Sequence, residues 1–221
     1  MTLIKMIVTL SFLFIWVTAE EAPLPSSLPL KQKASFPIQK ASFLIAYQIT
    51  GSYEGGYANV VNDLGEETYR GISCKFCKDW RGWSRIDEYK LKCGPPDQNH
   101  FFNDLTDWDV TDFYLDIWID EGFSDLENQA IANYLFDFRV HSPIAVKIIQ
   151  RLFNDCGYQF KLDNQMNPEM IVALNKIDST CTDFLMSINK ERIDFYNHVI
   201  DHNPSQEKFL CHWLKRADVS G

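Results

Sequence analysis

Beyond residue 19 the 221-residue chain has no further long apolar run, no internal repeat and no low-complexity tract. The first absence argues against a polytopic membrane protein, because a spanning helix needs roughly 20 consecutive apolar residues. Positive charge is also scarce: 21 Lys and Arg stand against 30 Asp and Glu, for a formal net charge of -9. Between Asp104 and Glu127 nine acidic residues occur without one Lys or Arg. Such a surface repels nucleic acid and anionic membranes, so neither is an expected partner. These acids lack the central glycine and terminal glutamate of a calcium loop, and they read as a solvated helix face. The histidines lack compact ligand spacing, so no metal or other cofactor is expected.

What the sequence does contain begins with a leader. Lys5 precedes the twelve-residue run "MIVTLSFLFIWV", and Val17 and Ala19 stand at minus three and minus one of a cleavage site. This pattern predicts a signal peptide over 1–19 and a secreted chain, extracellular or periplasmic, with no membrane association after cleavage; the run is short for an anchor. Residues 20–40, rich in Pro and Ser and without period, read as a linker or propeptide, and 41–219 as one domain. All six cysteines, Cys74, Cys77, Cys93, Cys156, Cys181 and Cys211, follow the leader. An even count in an exported chain predicts disulfides, although the pairing is open. Zinc at Cys74, Cys77, Cys93 and His100 is the competing reading.

Most long segments read as helix. Phe43, Ala46, Tyr47 and Thr50 recur at three and four, which puts Glu54 on the same flank with Gly55 and Gly56 as the stop. "TYRGIS" is strand-like and predicts a small hairpin or irregular loop beside that helix end. Residues 75–102 read as a long connection. Helix resumes near Thr106 with Trp108, Phe113 and Ile117 on one side, and Ser124 with Glu127 forms a capping-box pattern. Asn167 followed by Pro168 starts another helix. A longer one carries Phe184, Leu185, Ile188, Arg192, Phe195 and Tyr196. Trp108, Trp118 and Trp213 read as core, and Asp137 as a buried structural acid bonded to caps or to Arg139. The sum is an α+β, mainly α-helical domain.

Glu54, Asp63 and Thr68 form the one constellation with catalytic potential. A glycosidase needs a carboxylic acid in a partly apolar site, to protonate the leaving oxygen, and a polar group that aligns or deprotonates water. Tyr53 and Tyr57 supply low-polarity walls for Glu54. By spacing alone, an exposed helix-terminal glutamate is the better explanation of Glu54.

The stretch "YEGGYANVVNDLGEETYRGIS" resembles the signature of glycoside hydrolase family 108, with its Glu-Gly-Gly-Tyr tetrad and a segment closing on Gly-Ile-Ser. "DWRGWSRID", "DFYLDIWID", "IANYLFDFRVHSPIAVKIIQRLF" and "NPSQEKFLCHWLKR" are similar to later blocks, so the likeness spans Ser42 to Arg216. It implies a lysozyme-like fold with a small β-hairpin region after the catalytic helix. It also implies a helical, peptidoglycan-binding-like part over about 143–216. The implied activity is that of a monomeric muramidase cutting the β-1,4 bond between N-acetylmuramic acid and N-acetylglucosamine in bacterial peptidoglycan glycan strands. Glu54 takes the position of the catalytic acid. By similarity to phage-type lysozymes, Asp63 and Thr68 hold the attacking water and the reaction inverts. Gly55, Gly56, Tyr57 and Glu67 are the candidate substrate contacts. Three departures stand out: Glu66 replaces a glycine, "RVHSP" alters the segment after Asp137, and Cys211 and His212 precede Trp213. An inactive glycan-binding protein on the same fold is the alternative, and an accessory protein acting through the Asp104–Glu127 face is a second.

Overall fold

The computed structural model describes residues 39–60, 66–103, 105, 107–142, 144–177 and 182–218. The expected leader, the linker up to residue 38, Asp63 and Cys181 lie outside the described residues.

The first helix, α1 (Phe43–Gly51), is fixed at its start by the chain's own polar groups. Ser42 donates its backbone N–H to Gln129 Oε1 at 2.6 Å, and Ala41 donates to the Leu126 carbonyl at 2.7 Å. Its inward row is the expected one, with Ala46 and Thr50 buried and Phe43 and Tyr47 packed on the core. It stops at Gly51, ahead of the Gly55–Gly56 pair predicted to end it. Glu54 therefore lies in the following turn rather than on the helix, with its N–H bonded to the Gly51 carbonyl at 3.2 Å.

A three-stranded antiparallel sheet follows, β1 (Tyr57–Asn59), β2 (Glu67–Tyr69) and β3 (Ile72–Ser73), in that spatial order. Tyr57 pairs with Tyr69, and Tyr69 with Ile72. The β2–β3 connection is the two-residue turn Arg70–Gly71, both at positive φ (48° and 80°). That is the conformation whose twist matches a tight hairpin. Glu66 also has a positive φ, 59°, at the position where a glycine was expected.

Residues 82–93, read from sequence as connection, form α2 (Gly82–Cys93). Only Gly82, Trp83 and Ile86 of it are buried, so its apolar row is too short to register as periodicity. In α3 (Asp107–Asp120) the buried row is Val110, Tyr114 and Trp118, while Trp108 is 66% exposed and is not core as predicted. Helix α4 (Gln129–His141) starts at Asn128, whose side chain accepts from the N–H groups of Ala130 and Ile131. This cap displaces the one expected at Ser124, which sits in a short 3-10 turn instead.

The remaining helices are α5 (Ala145–Asp155), α6 (Pro168–Asn175), α7 (Thr182–His202) and α8 (Leu210–Ala217). Asn167 caps α6 through the Met170 N–H, with Pro168 first in the helix, as the sequence indicates. The core between α1, α3 and α4 is aromatic: Trp118, Phe123 and Phe43 pack around the fully buried Phe136 with ring centroids 5.3 to 6.1 Å apart. Each such ring contributes about 1.5–3 kcal/mol through burial. All these elements belong to one compact unit spanning Ile38–Gly221.

Candidate active site

Glu54 emerges from the turn after α1 with only 12% of its side chain exposed. Its Oε1 accepts from Arg216 Nη1 of α8 at 2.6 Å. Its other oxygen lies against the β2–β3 turn: a Cβ added to Gly71 would stand 2.3 Å from Glu54 Oε2 and 2.6 Å from the Tyr114 hydroxyl. Glycine is thus required at 71 for its φ and for the space that Glu54 occupies. Tyr114, buried at 2%, donates to the Arg70 carbonyl at 2.7 Å and fixes the turn from below. Burial, and then the negative charge of Glu54, push its phenol well above the ordinary tyrosine value.

Behind Glu54 runs a buried ionic chain. Arg216 also donates through Nε to both oxygens of Asp137, at 2.9 and 3.2 Å. Asp137 Oδ2 accepts in addition from Arg192 Nη2 at 2.7 Å. Arg192 is fully buried beneath Phe138 and Tyr134, with its guanidinium 5.0 and 5.4 Å from their ring centres. Its Nε donates to the Tyr196 hydroxyl at 2.5 Å, which lies 2.8 Å from His141 Nδ1. Two carboxylates and two guanidiniums therefore balance in formal charge, the condition under which buried ions are tolerated. Burial alone would lower the Arg216 value, but the charges of Glu54 and then Asp137 outweigh it and hold the guanidinium above its usual range. The Tyr53 ring packs 5.5 Å from Arg216 and edge-on to His212.

The other candidates fall in different places. Thr68 is half-buried in the middle of β2, paired with Ala58 and Ser73, three residues back along the hairpin from Gly71. Asp63 lies outside the described residues. Tyr57 does not present a ring to a sugar: it is 2% exposed, edge-on to Phe102, and its hydroxyl donates to Glu67 Oε1 at 2.7 Å. Burial first, then that bond to Glu67, push its phenol up to about 12. Glu67 is likewise engaged, between Tyr57 and Lys90, and its carboxylate is committed to the sheet rather than offered as a ligand group. Gly56 is buried, and a Cβ there would stand 2.6 Å from the Asn99 carbonyl oxygen, so it serves the close approach of backbone to backbone. Gly55 is exposed beside Asn99 Oδ1. Asp137 is buried as predicted, but its partners are Arg192 and Arg216, while Arg139 pairs with Glu121.

The expected disulfides are not formed among the described cysteines, where Cys74, Cys77, Cys93, Cys156 and Cys211 are free thiols. Cys93, Cys156 and Cys211 are exposed on three different elements, and burial pushes the half-buried Cys74 and Cys77 above the usual thiol value. Among the described residues no group of three or more His, Cys, Asp or Glu is placed to hold a metal ion.

Sequence reasoning did not single out Arg216, Tyr114 or Gly71 as site residues. The available signal was an arginine within an otherwise apolar helical row, which demands a buried acid.

A shielded acid against a hairpin turn, in a helical α+β domain, is the setting of a glycoside hydrolase, and the family comparisons agree. Residues 47–142 match the model described as Glycosyl hydrolase 108, and 144–218 match the Predicted Peptidoglycan domain. The first segment is thus similar to glycosyl hydrolase family 108, and the second, directly after it, to a peptidoglycan domain. Together the two matches support a peptidoglycan-acting glycoside hydrolase. Its fold is similar to that in "Structure of Brucella abortus SagA", with 20% sequence identity, a TM-score of 0.54, and coverage of 79% of this chain and 92% of that one. The fold is the mainly helical, lysozyme-like one that the sequence implied. No curated protein matches the chain.

Proposed function

We propose that the chain is a secreted, monomeric muramidase that hydrolyses the β-1,4 bond between N-acetylmuramic acid and N-acetylglucosamine, with Glu54 as general acid. The observation that carries this reading is the setting of Glu54, a carboxyl 12% exposed, held by Arg216 and walled by Gly71. Oε1 is occupied by Arg216, so Oε2 is the oxygen that takes up a proton from solvent in the acid form of the enzyme and passes it to the glycosidic oxygen. Water then attacks the anomeric carbon, and the bond to the leaving sugar breaks with its electron pair on the protonated oxygen. Asp63 and Thr68 hold that water, the Asp63 carboxylate takes the proton it gives up, and attack from the face opposite the leaving group inverts the configuration. Arg216 is a positioning residue: its fork fixes Glu54 and Asp137 together and keeps the acid from rotating. The leader is removed on export, and the mature chain has no membrane association.

The test is digestion of purified peptidoglycan, with mass spectrometry of the new reducing ends. The expected product ends in N-acetylmuramic acid, and Glu54→Gln abolishes its release while the circular dichroism spectrum stays that of the wild type, with a lower melting temperature because Arg216 loses one of its two acidic partners. Full turnover by Glu54→Gln would remove Glu54 from the mechanism. Binding to the wall without release of reducing ends by the wild type would identify a glycan-binding protein on this fold.

A further inference from the structure

Within the segment matched to the peptidoglycan domain, α5 and α7 enclose a groove of about 400 Å³. That volume lies within the roughly 300–1,000 Å³ of small-ligand sites. Its floor is apolar, formed by Ile148 (5% exposed) and the half-buried Phe195. Its two sides carry opposite charge. Lys147 and Arg151 stand four apart on α5, and Glu191 and Asp194 three apart on α7, so each pair shares one face of its helix. Among the described residues none of these four side chains is tied up in an ion pair with the others or with a neighbour. By contrast, Arg192 and Arg216 of the same segment spend their charge on buried acids. A cationic pair from one helix and an anionic pair from the other, lining one groove over an apolar floor with no ion pair between them, match a ligand with a free carboxylate and a free ammonium a few bonds apart.

Of the two chemistries in peptidoglycan, only the peptide has that character. The glycan presents hydroxyls and acetamides, which gain little from two opposed rows of full charges. A stem peptide presents carboxylates, an amino group where it carries a diamino acid, and methyl and methylene groups for the floor. We propose that the α5–α7 groove is a binding subsite for the zwitterionic peptide stem of peptidoglycan, with its carboxylate on Lys147 and Arg151 and its ammonium on Glu191 and Asp194. Arg151 supplies a planar fork suited to a carboxylate, and Lys147 a point charge beside it. The inference rests on the reading of the chain as a peptidoglycan hydrolase, and it gives the second segment a task separate from cleavage: it selects strands whose peptides are still free at their charged ends.

The experiment is calorimetric titration of the full chain with a synthetic stem peptide that ends in a diamino acid, its side-chain amine and terminal carboxylate both free. Two derivatives serve as controls, one acetylated on the amine and one amidated on the carboxylate. Each cap is expected to weaken binding by about tenfold or more, the loss of one charge-assisted contact. Lys147→Glu with Arg151→Glu, and separately Glu191→Lys with Asp194→Lys, should do the same, while combining all four reversals restores binding. Equal affinity for free and capped peptides, affinity untouched by the reversals, or no measurable binding of the free peptide each overturns the proposal. Because the capped peptides are tested on the wild-type chain, misfolding of a variant cannot mimic the result. Cleavage of peptide-free glycan strands is measured in parallel and should be unaffected by the reversals. If the wild type fails to cleave those strands, the muramidase reading fails, and the titration still decides the groove.

Discussion

The two halves of the chain carry charge differently, and part of the difference is met inside the protein. From Lys40 to Asp137 there are 18 acidic and 8 basic residues; from Phe138 to Gly221 there are 10 of each. Two of the acids in the first half, Glu54 and Asp137, are buried or nearly so, and the cations that balance them, Arg192 and Arg216, come from the second. Buried ions must be matched where they lie, because desolvation costs several kcal/mol per ion and only a close counter-charge offsets it. The acid-rich glycosidase segment is therefore incomplete without the peptidoglycan segment. A boundary at residue 143, apparent from two separate family matches, is not a boundary in the energetics.

The sharpest way to break this comparison is to remove the cation shared by both halves. Arg216→Met leaves Glu54 without its partner and Asp137 with one of two, and breaking a buried pair in this way costs about 3–5 kcal/mol. Urea unfolding should show that loss, and activity should fall with it. Arg216→Lys keeps the charge, but a single ammonium cannot span Glu54 and Asp137 as the fork does, so it should recover more stability than activity. A methionine variant as stable as the wild type would mean that the two halves are only neighbours.

A second contrast uses one residue type in each half. Gly71 and Gly157 both have positive φ, 80° and 95°, but a Cβ at 157 meets nothing within 4 Å, whereas at 71 it meets Glu54 and Tyr114. Gly157→Ala should cost only the left-handed backbone penalty of about 1–2 kcal/mol and leave catalysis intact. Gly71→Ala pays the same penalty and also displaces the acid, and a 1 Å misplacement of a reacting group can cost about 100-fold in rate. Equal activities of the two variants would show that the hairpin turn does not set the position of Glu54.

How much of this was legible in the sequence depended on whether the cause was local. The α1 row, the Asn167–Pro168 start of α6 and the hairpin in "TYRGIS" rest on residues a few positions apart, and they are found where periodicity and capping put them. Helix α2 was hidden because it buries so little, and the α3 face was misread because Trp108 competes with the Val110–Tyr114–Trp118 row two positions away. Glu54 stood out only through the family signature, since an acid before two glycines has no intrinsic meaning. Its partner Arg216 is 162 residues distant, a separation across which no capping or periodicity rule operates. Tyr57 and Glu67 were assigned to the substrate because they are polar groups near the acid, yet their first need was to satisfy each other inside the sheet.

The smallest effect expected concerns pH and the far end of the same joint. His141 closes α4 at the end of the first matched segment, and its Nδ1 meets the Tyr196 hydroxyl of the second segment. That hydroxyl accepts from Arg192, so its own proton points to Nδ1, and the imidazole is the neutral acceptor. Burial, followed by the charges of Arg216, Arg192 and His212, lowers His141 well below the ordinary histidine value. A group lowered on folding stabilises the fold above its unfolded value, about 6.5, and that contribution is lost as pH falls, because the unfolded chain then binds a proton that the folded one refuses. Stability should therefore decline below about pH 6.5 with a His141 component of at most about 1.4 kcal/mol per pH unit. His141→Gln, which can still accept from Tyr196, should flatten that part of the profile while leaving the slope below pH 5 to the carboxylates. An unchanged profile in the variant would place the acid sensitivity elsewhere and leave the joint held by its three ion pairs alone.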